Sequence, residues 1–87
     1  MTYETFIERS AQRSLSKIPQ SDQDRIIDAI NKLQSNPRPF GVQKLSGREA
    51  WRIRVGDYRI IYEINDEARS ILVVTLGHRR EVYRFGR

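Results

Sequence analysis

The chain has 87 residues with a net charge of +5, no cysteine and a single histidine. Its length predicts one domain, residues 1–87, around a small core, and its composition excludes a disulfide framework, a thiolate metal site and a histidine-rich metal site, so we expect neither a metal nor a cofactor. The sequence has neither a secretory signal pattern nor an apolar stretch of the roughly 20 residues that a membrane span requires. This predicts a cytoplasmic protein without membrane contact.

The chain begins with a predicted strand and a predicted helix. Residues 2–7 alternate in polarity, which indicates a short strand. From Arg9 the apolar side chains recur at helical spacing, and Pro19 ends this helix. The apolar face of the helix consists of Ala11, Leu15 and Ile18.

A second helix is predicted directly afterwards. Ser21 and Asp24 resemble a capping box, with aspartate in place of the usual glutamate, and place the start of this helix. The Asn-Pro-Arg-Pro segment at residues 36–39 stops it. Its apolar stripe consists of Ile26, Ile27, Ile30 and Leu33. The very short connection predicts that the two helices form an αα-hairpin.

The second half of the chain predicts a β-hairpin after a loop at residues 40–47. Residues 49–55 alternate, with Trp51, Ile53 and Val55 on one face and Arg52 and Arg54 on the other. Gly56-Asp57 is suited to a two-residue type II′ turn because glycine takes the first position. The return strand, residues 58–64, has two faces composed of Tyr58, Ile60, Tyr62 and Ile64 and of Arg59, Ile61 and Glu63.

The last predicted strand is apolar on both faces. It covers residues 70–76, after a turn at residues 65–69, and such a strand belongs inside a sheet. The order β-α-α-β-β-β predicts an α+β fold, an antiparallel-rich four-stranded sheet with a two-helix hairpin on one face. We expect the helices to cover Trp51, Tyr58 and Tyr62 as core residues, with base stacking as the alternative. The opposite face is expected to expose the arginines to solvent.

Most of the excess positive charge lies in the second half of the chain. Residues 1–43 carry a net charge of +1, and residues 44–87 carry +4, with arginine as nine of their ten basic side chains. Arginine's planar fork suits phosphate recognition, so nucleic acid is the leading partner. An acidic protein partner and simple solubility are the alternatives.

The predicted hairpin register brings arginines of two strands together. With the turn at Gly56-Asp57, Arg54 lies opposite Arg59 at about 5 Å between Cβ atoms, where like charges repel. A protein tolerates this arrangement best where an anion lies between the two groups. The alternative is that the arginines extend apart into solvent or pair with Glu49 and Glu63.

Three segments resemble a known family of proteins. Residues 51–63, Trp-Arg-Ile-Arg-Val-Gly-Asp-Tyr-Arg-Ile-Ile-Tyr-Glu, resemble the central hairpin of the RelE/ParE toxin superfamily, and Lys-Leu-Ser-Gly at residues 44–47 resembles the approach to it. Gly-His-Arg-Arg-Glu-Val-Tyr at residues 77–83 resembles the C-terminal signature of the ribosome-dependent ribonuclease branch. The resemblance covers the whole chain and includes the order of its elements.

The resemblance implies the toxin of a type II toxin–antitoxin system. Its expected activity is that of a metal-independent endoribonuclease, an mRNA interferase that cleaves messenger RNA in the ribosomal A site through attack by a 2′-hydroxyl. Its expected partners are the ribosome, messenger RNA and a cognate RelB-like antitoxin that is acidic and partly disordered when free. Purified protein is expected to cleave naked RNA poorly.

The resemblance also implies roles for individual residues. The catalytic positions carried over are Arg52, Arg54, Arg59, Arg79 and Tyr83. Of these, Arg59 and Arg79 are expected to hold the scissile phosphate, Arg54 to stabilise the developing charge, and Tyr83 to orient a base or take part in proton transfer. The residues expected to bind RNA are Lys44, Arg80 and Arg84.

The general base stays open at the level of sequence. Arg52 and Arg54 stand where lysine is common in RelE, and arginine is effectively always protonated. His78, with an ordinary pKa of about 6.5, is the best-suited acid or base, its alternatives being a substrate contact or a packing residue. Packing is the alternative for Tyr83. Two other functions also stay open: a ParE-type DNA gyrase poison, and a non-catalytic RNA-binding or protein-binding module.

Overall fold

Two helices and five strands make up the described part of the chain. The structure, a computed structural model, describes residues 2–47 and 49–78. In chain order the elements are β1 (Glu4–Ile7), α1 (Arg9–Ser16), α2 (Gln20–Lys32), β2 (Gln43–Lys44), β3 (Ala50–Val55), β4 (Tyr58–Asn65) and β5 (Ser70–His78). Of the helices in these residues, neither is long and apolar enough to cross a membrane.

The strands form one mixed sheet in the order β1-β5-β4-β3-β2. β1 pairs with β5 in parallel, and the other neighbours are antiparallel. The predicted α+β fold is therefore confirmed, but the sheet has five strands where the sequence predicted four. The additional strand, Gln43–Lys44, lies within the predicted loop 40–47 and pairs with β3. A strand of two residues is too short to show an alternation of polarity, so only its pairing with β3 reveals it.

The hairpin of β3 and β4 has the predicted register. Val55 pairs with Tyr58 and Arg54 with Arg59 across the turn. Gly56 has φ +61°, and Asp57 is not among the described residues with positive φ. This combination fits the predicted type II′ turn, because a type I′ turn needs a positive φ at both central residues.

The helices begin and end close to the predicted positions, with two corrections. Pro19, and not Ser21, is the N-cap of α2: no side chain caps this helix, and the Pro19 carbonyl accepts hydrogen bonds from the amides of Asp22 and Gln23 at 3.0 and 2.9 Å. The ring of Pro19 fixes its φ, here −53°, and the helix begins at Gln20, one residue before Ser21. Ile27, predicted on the apolar stripe, is 39% exposed because it lies beside the face that contacts the sheet.

The main core lies between the two helices and one face of the sheet. Its helical part includes Ile26, Ile30 and Leu33, and the sheet contributes buried side chains such as Ile60 and Tyr62. Trp51 and Tyr58 are partly buried against this cluster. The prediction that these aromatic residues pack in the core is confirmed, and Tyr62 is the largest fully buried side chain.

The opposite face of the sheet has a smaller apolar cluster of its own. Ala50, Ile61 and Val74 are buried there. A β-bulge contributes to it: Ile61 pairs with Thr75 and Tyr62 with Val73, so Val74 is an extra residue in β5. The apolar side chains that the sequence predicted on both sides of β5 therefore divide between two clusters. The face opposite the helices is partly apolar, and the arginines occupy one part of it.

Candidate nucleic-acid interface

Three of the predicted site arginines line one pocket. Arg52, Arg54 and Arg59 enclose a space of about 230 Å³ together with Gly41 and Gln43, on the sheet face opposite the helices. We call this space the arginine pocket. The predicted convergence of the three side chains is confirmed, and their catalytic roles stay predictions.

Strand geometry accounts for this arrangement. Arg52 and Arg54 are two residues apart on β3, so their side chains leave the same face of the sheet. Arg59 on β4 pairs with Arg54, and Gln43 on β2 pairs with Arg52. The Gln43 side-chain oxygen accepts a hydrogen bond from the Arg52 guanidinium, which orients that group. Four side chains from three adjacent strands are thus held on one surface.

The three arginines differ in exposure, which corrects the prediction that all extend into solvent. Arg54 is exposed and Arg52 is half-buried, but Arg59 is only 7% exposed. β4 lies inside the sheet, and Arg59 has Arg54 on one side and Gly77 on the other. Because glycine has no side chain, the β5 side of Arg59 has room for its long side chain to lie against the sheet. A buried arginine at the base of a pocket with an exposed one at its rim suits an anion that enters from solvent.

A tight turn at residues 39–42 forms the wall of the arginine pocket beside β3. The sequence predicted most of this segment as a loop. The Val42 amide donates a hydrogen bond to the Pro39 carbonyl at 3.0 Å, and Gly41 has φ +90°. A positive φ at the third residue is the mark of a type II turn and favours glycine. The Pro-Phe-Gly triplet was the sequence signal that could have identified it. Gln43 had no such signal, because its role depends on pairing with β3.

Two contacts hold the segment before this turn against the sheet. The Tyr62 hydroxyl donates a hydrogen bond to the Pro37 carbonyl at 2.6 Å, and burial raises the pKa of Tyr62 to about 12. Arg38 forms an ion pair with Asp66 at 3.0 Å and lies 5.0 Å from the centre of the Trp51 ring. The hydrogen bond from Arg38, followed by one from the Tyr3 hydroxyl, lowers the pKa of Asp66. The turn at residues 39–42 therefore follows a firmly anchored segment.

Lys44, predicted to bind RNA, lies on the other face of the sheet. It pairs with Trp51, its ammonium is 5.8 Å from the centre of that ring, and it forms an ion pair with Glu49 at 3.4 Å. Neighbouring residues of a strand project to opposite faces, so Gln43 takes the place beside Arg52 and Lys44 does not. Any contact of Lys44 with RNA would take place outside the arginine pocket.

His78 also lies away from the arginines. It pairs with Tyr58, and the two rings meet edge to face with their centroids 6.2 Å apart. Its surroundings are a separate pocket of about 290 Å³ that includes Lys17 and Ser14 of the helical layer. His78 therefore occupies the helix-side face, opposite to the face of the arginine pocket. The other predicted site residues, Arg79, Arg80, Tyr83 and Arg84, lie outside the described residues.

The arginine pocket is built for an anion rather than a cation. Among the described residues, the five that line it include three guanidinium groups and no carboxylate. Within residues 2–47 and 49–78, no three histidine, aspartate or glutamate side chains come together closely enough to hold a metal ion. Guanidinium groups bind phosphate oxygens through paired, charge-assisted hydrogen bonds. The chemistry that this surface supports is recognition of a phosphate group.

Comparison with known proteins assigns the family. A family model described as the ParE toxin of the type II toxin–antitoxin system parDE matches residues 6–83. The chain belongs to the RelE/ParE superfamily of toxins. The predicted resemblance is therefore confirmed, and the protein is a type II toxin.

Individual relatives extend over nearly the whole toxin. Toxin RelG of Mycobacterium tuberculosis is 28% identical over 88 residues, which covers 97% of this chain and 99% of that protein. The RelE chain in the archaeal RelE–RelB complex of Pyrococcus horikoshii is 32% identical, with a TM-score of 0.81 and coverage of 91% and 97% of the two chains. The isolated E. coli RelE toxin is 23% identical and has a TM-score of 0.77, covering 93% and 90%, which is a likeness of fold.

Proposed function

We propose that this toxin is an endoribonuclease that cleaves messenger RNA in the ribosomal A site without a metal ion. The observation that carries the proposal is the convergence of Arg52, Arg54 and Arg59 on one pocket. The relatives named RelE and RelG support the ribonuclease branch of the superfamily. The resemblance of residues 77–83 to the C-terminal signature of that branch supports it further.

In the proposed reaction the 2′-oxygen of one nucleotide attacks its own 3′-phosphorus. The bond from phosphorus to the 5′-oxygen of the next nucleotide breaks, and the proton of the 2′-hydroxyl ends on that leaving oxygen. The products are a 2′,3′-cyclic phosphate and a 5′-hydroxyl. Negative charge grows on the phosphorane oxygens and on the leaving oxygen, and fixed cations stabilise it in the transition state.

The three arginines divide this task according to their exposure. Arg59 is buried and held in the sheet, so it forms a fixed binding group for a phosphate oxygen. Arg52 is oriented by Gln43 and binds from the β2 side. Arg54 is exposed at the rim and is free to follow the charge that develops on the leaving group. The resemblance adds Arg79 and Tyr83 to the proposed catalytic residues.

Among the described residues, none that lines the arginine pocket exchanges a proton near neutral pH. These lining residues are Gly41, Gln43 and the three arginines, and His78 lies on the other face of the sheet. The rate acceleration from this pocket therefore comes from charge stabilisation and alignment of the RNA strand. Alignment by the ribosome is consistent with this design, since the described lining residues include no general base and by themselves make a weak nuclease on free RNA.

Two measurements test the proposal. Ribosomes programmed with a defined messenger RNA should yield A-site cuts with wild-type toxin and at least about 100-fold slower cuts with Arg54→Gln, while the free transcript stays intact. The single-turnover rate, plotted against pH, should show no change of slope (no limb) near pH 6.5. A limb at that pH that disappears in His78→Gln, or efficient cleavage of the free transcript, contradicts the proposal.

A partner of opposite charge follows from the same surface. We propose that a RelB-like antitoxin, acidic and partly disordered when free, neutralises the toxin, because the relative from Pyrococcus horikoshii is in complex with RelB. Co-expression of the adjacent gene product should restore growth that this chain arrests. If no co-expressed acidic protein restores growth, the antitoxin proposal fails while the ribonuclease proposal stands.

A second candidate function is poisoning of DNA gyrase. The observation that favours it is the matching family model, which is described as a ParE toxin. A gyrase poison predicts gyrase-dependent double-strand breaks with intact messenger RNA. It also predicts that Arg54→Gln leaves those breaks unchanged, because no phosphodiester bond of RNA is cut in the arginine pocket.

A further inference from the structure

An apolar cleft adjoins the arginine pocket. It has a volume of about 530 Å³ and lies between the C-terminal part of α2, the turn at residues 39–42 and β3. Its apolar walls consist of Ala29, Leu33, Pro39, Phe40 and Ile53. We call this space the Phe40 cleft. Arg54 and Gly41 line both the cleft and the arginine pocket, so the two spaces share one border.

Phe40 is the most exposed large hydrophobic side chain described, at 107% of the reference exposure. It occupies the second position of the type II turn that the Val42–Pro39 hydrogen bond closes. Its backbone is therefore fixed while its ring is open to solvent. Scattered apolar residues on a surface need no explanation, but this one borders an apolar cleft beside three arginines.

The charge around the Phe40 cleft suits a polyanion. Among the described residues that line it, the ionisable ones are Lys32 and Arg54, and none is a carboxylate. Lys32 forms an ion pair with Asp28 at 3.1 Å, whereas Arg54 forms no ion pair among residues 2–47 and 49–78. A ligand with an apolar, planar part next to a negative group fits both spaces together.

We infer that Phe40 is the stacking platform for an unpaired base of the RNA strand whose neighbouring phosphate occupies the arginine pocket. This inference rests on the proposed ribonuclease function. In a single strand, bases alternate with phosphates, so a phosphate held by the arginines brings the base of an adjoining nucleotide to the shared border at Arg54. Aromatic rings on a fixed backbone bind unpaired bases by stacking, whatever the base.

The test is the affinity of an RNA hexanucleotide with 2′-O-methyl riboses, which lacks the attacking hydroxyl. Fluorescence anisotropy at low salt should show about 5- to 150-fold weaker binding by Phe40→Ala, the range that loss of one stacked base produces. Phe40→Trp should bind within about threefold of wild type, and Phe40→Leu should be as weak as Phe40→Ala. Circular dichroism should show that all variants fold, since the side chain is exposed.

Phe6→Ala is the matched control. Phe6 is a second exposed phenylalanine, at 48%, on β1, which forms the sheet edge opposite to β2. Its replacement should leave binding unchanged. A hexanucleotide with one abasic position, scanned along the strand, gives the decisive comparison. At one position the abasic sugar should weaken binding by the wild-type toxin by the same factor as Phe40→Ala does. The same abasic RNA should bind the Phe40→Ala variant no more weakly than the intact RNA does.

The outcomes separate this inference from the proposed function. If Arg54→Gln weakens binding and Phe40→Ala does not, the stacking inference is overturned and the ribonuclease proposal stays intact. Full affinity in Phe40→Leu would also overturn it, since a merely apolar contact, as with a side chain of a protein partner, tolerates leucine. On programmed ribosomes, Phe40→Ala should raise KM by the same factor, and an unchanged KM counts against stacking. Wild-type toxin that neither binds the hexanucleotide nor cleaves on ribosomes refutes both proposals.

Discussion

Replacement of Arg54 by glutamine should make the toxin more stable and less active. Arg54 lies directly opposite Arg59, and Cβ atoms of such pairs are about 5 Å apart. Cross-strand pairs contribute about 0.2–1 kcal/mol each, and like charges directly opposite each other are destabilising, so we expect a cost within that range. Because Arg54 is exposed, water screens the repulsion and keeps it small.

The expected gain in the free energy of unfolding is therefore about 0.2–1 kcal/mol. For a domain of this size, such a gain raises Tm by about 1–8 °C. Thermal melts at low ionic strength in a buffer without phosphate should show it, and about 1 M salt, where the Debye length is about 3 Å, should reduce it. The rate of A-site cleavage should fall at least about 100-fold in the same variant.

Arg52→Gln is the matched control for this prediction. It makes the same change of charge on the same strand, but Arg52 pairs with Ile61 and donates a hydrogen bond to Gln43. It should therefore give no gain in stability while it also slows cleavage. A loss of stability in Arg54→Gln, or a gain of equal size in Arg52→Gln, would refute the argument that repulsion between Arg54 and Arg59 is retained for anion binding.

Three further predictions concern stability. Burial raises the pKa of Tyr62 to about 12, whereas a tyrosine of the unfolded chain has a pKa of about 10, so the folded state holds the proton more tightly. The free energy of unfolding of the wild type should therefore fall as the pH rises from about 10 to about 12. Urea titrations should show a smaller fall for Tyr62→Phe. Arg38 is the main cause of the low pKa of Asp66, so the stability that Asp66 provides is present above a pH of about 4 and is lost as the pH falls. The difference in Tm between wild type and Asp66→Asn should therefore shrink in thermal melts at acid pH. A difference in Tm that stays constant contradicts this prediction. Gly56→Ala should cost about 1–2 kcal/mol in denaturant titrations because Gly56 has φ +61°.

Local patterns in the sequence predicted most of the fold. The alternation of polarity along β3 and β4, together with the Gly56-Asp57 turn, was sufficient to place Arg54 opposite Arg59, because side chains of a strand alternate with a period of two and a two-residue turn fixes the register. The capping pattern at Ser21 misled for a similarly local reason. The ring of Pro19 fixes its φ, and Pro19 takes the N-cap position of α2 in place of Ser21.

Part of the candidate site was beyond such patterns. Gln43 carries no charge and stands beside a conspicuous lysine, and only the pairing of β2 with β3 shows that Gln43 contacts Arg52 while Lys44 turns to Trp51. The strand β2 is too short for its own sequence to specify it. Its place depends on the free edge of β3 that the rest of the fold provides.

The sequence by itself determined which side chains share a face, since alternation along a strand is a property of the backbone alone. It thus determined that Arg52, Arg54 and Arg59 lie together. Only the tertiary structure decided how deeply each is buried and what lies beside it, because burial depends on the neighbouring strands and loops. The burial of Arg59 beside Gly77 and the open position of Phe40 beside Arg54 both arise in this way.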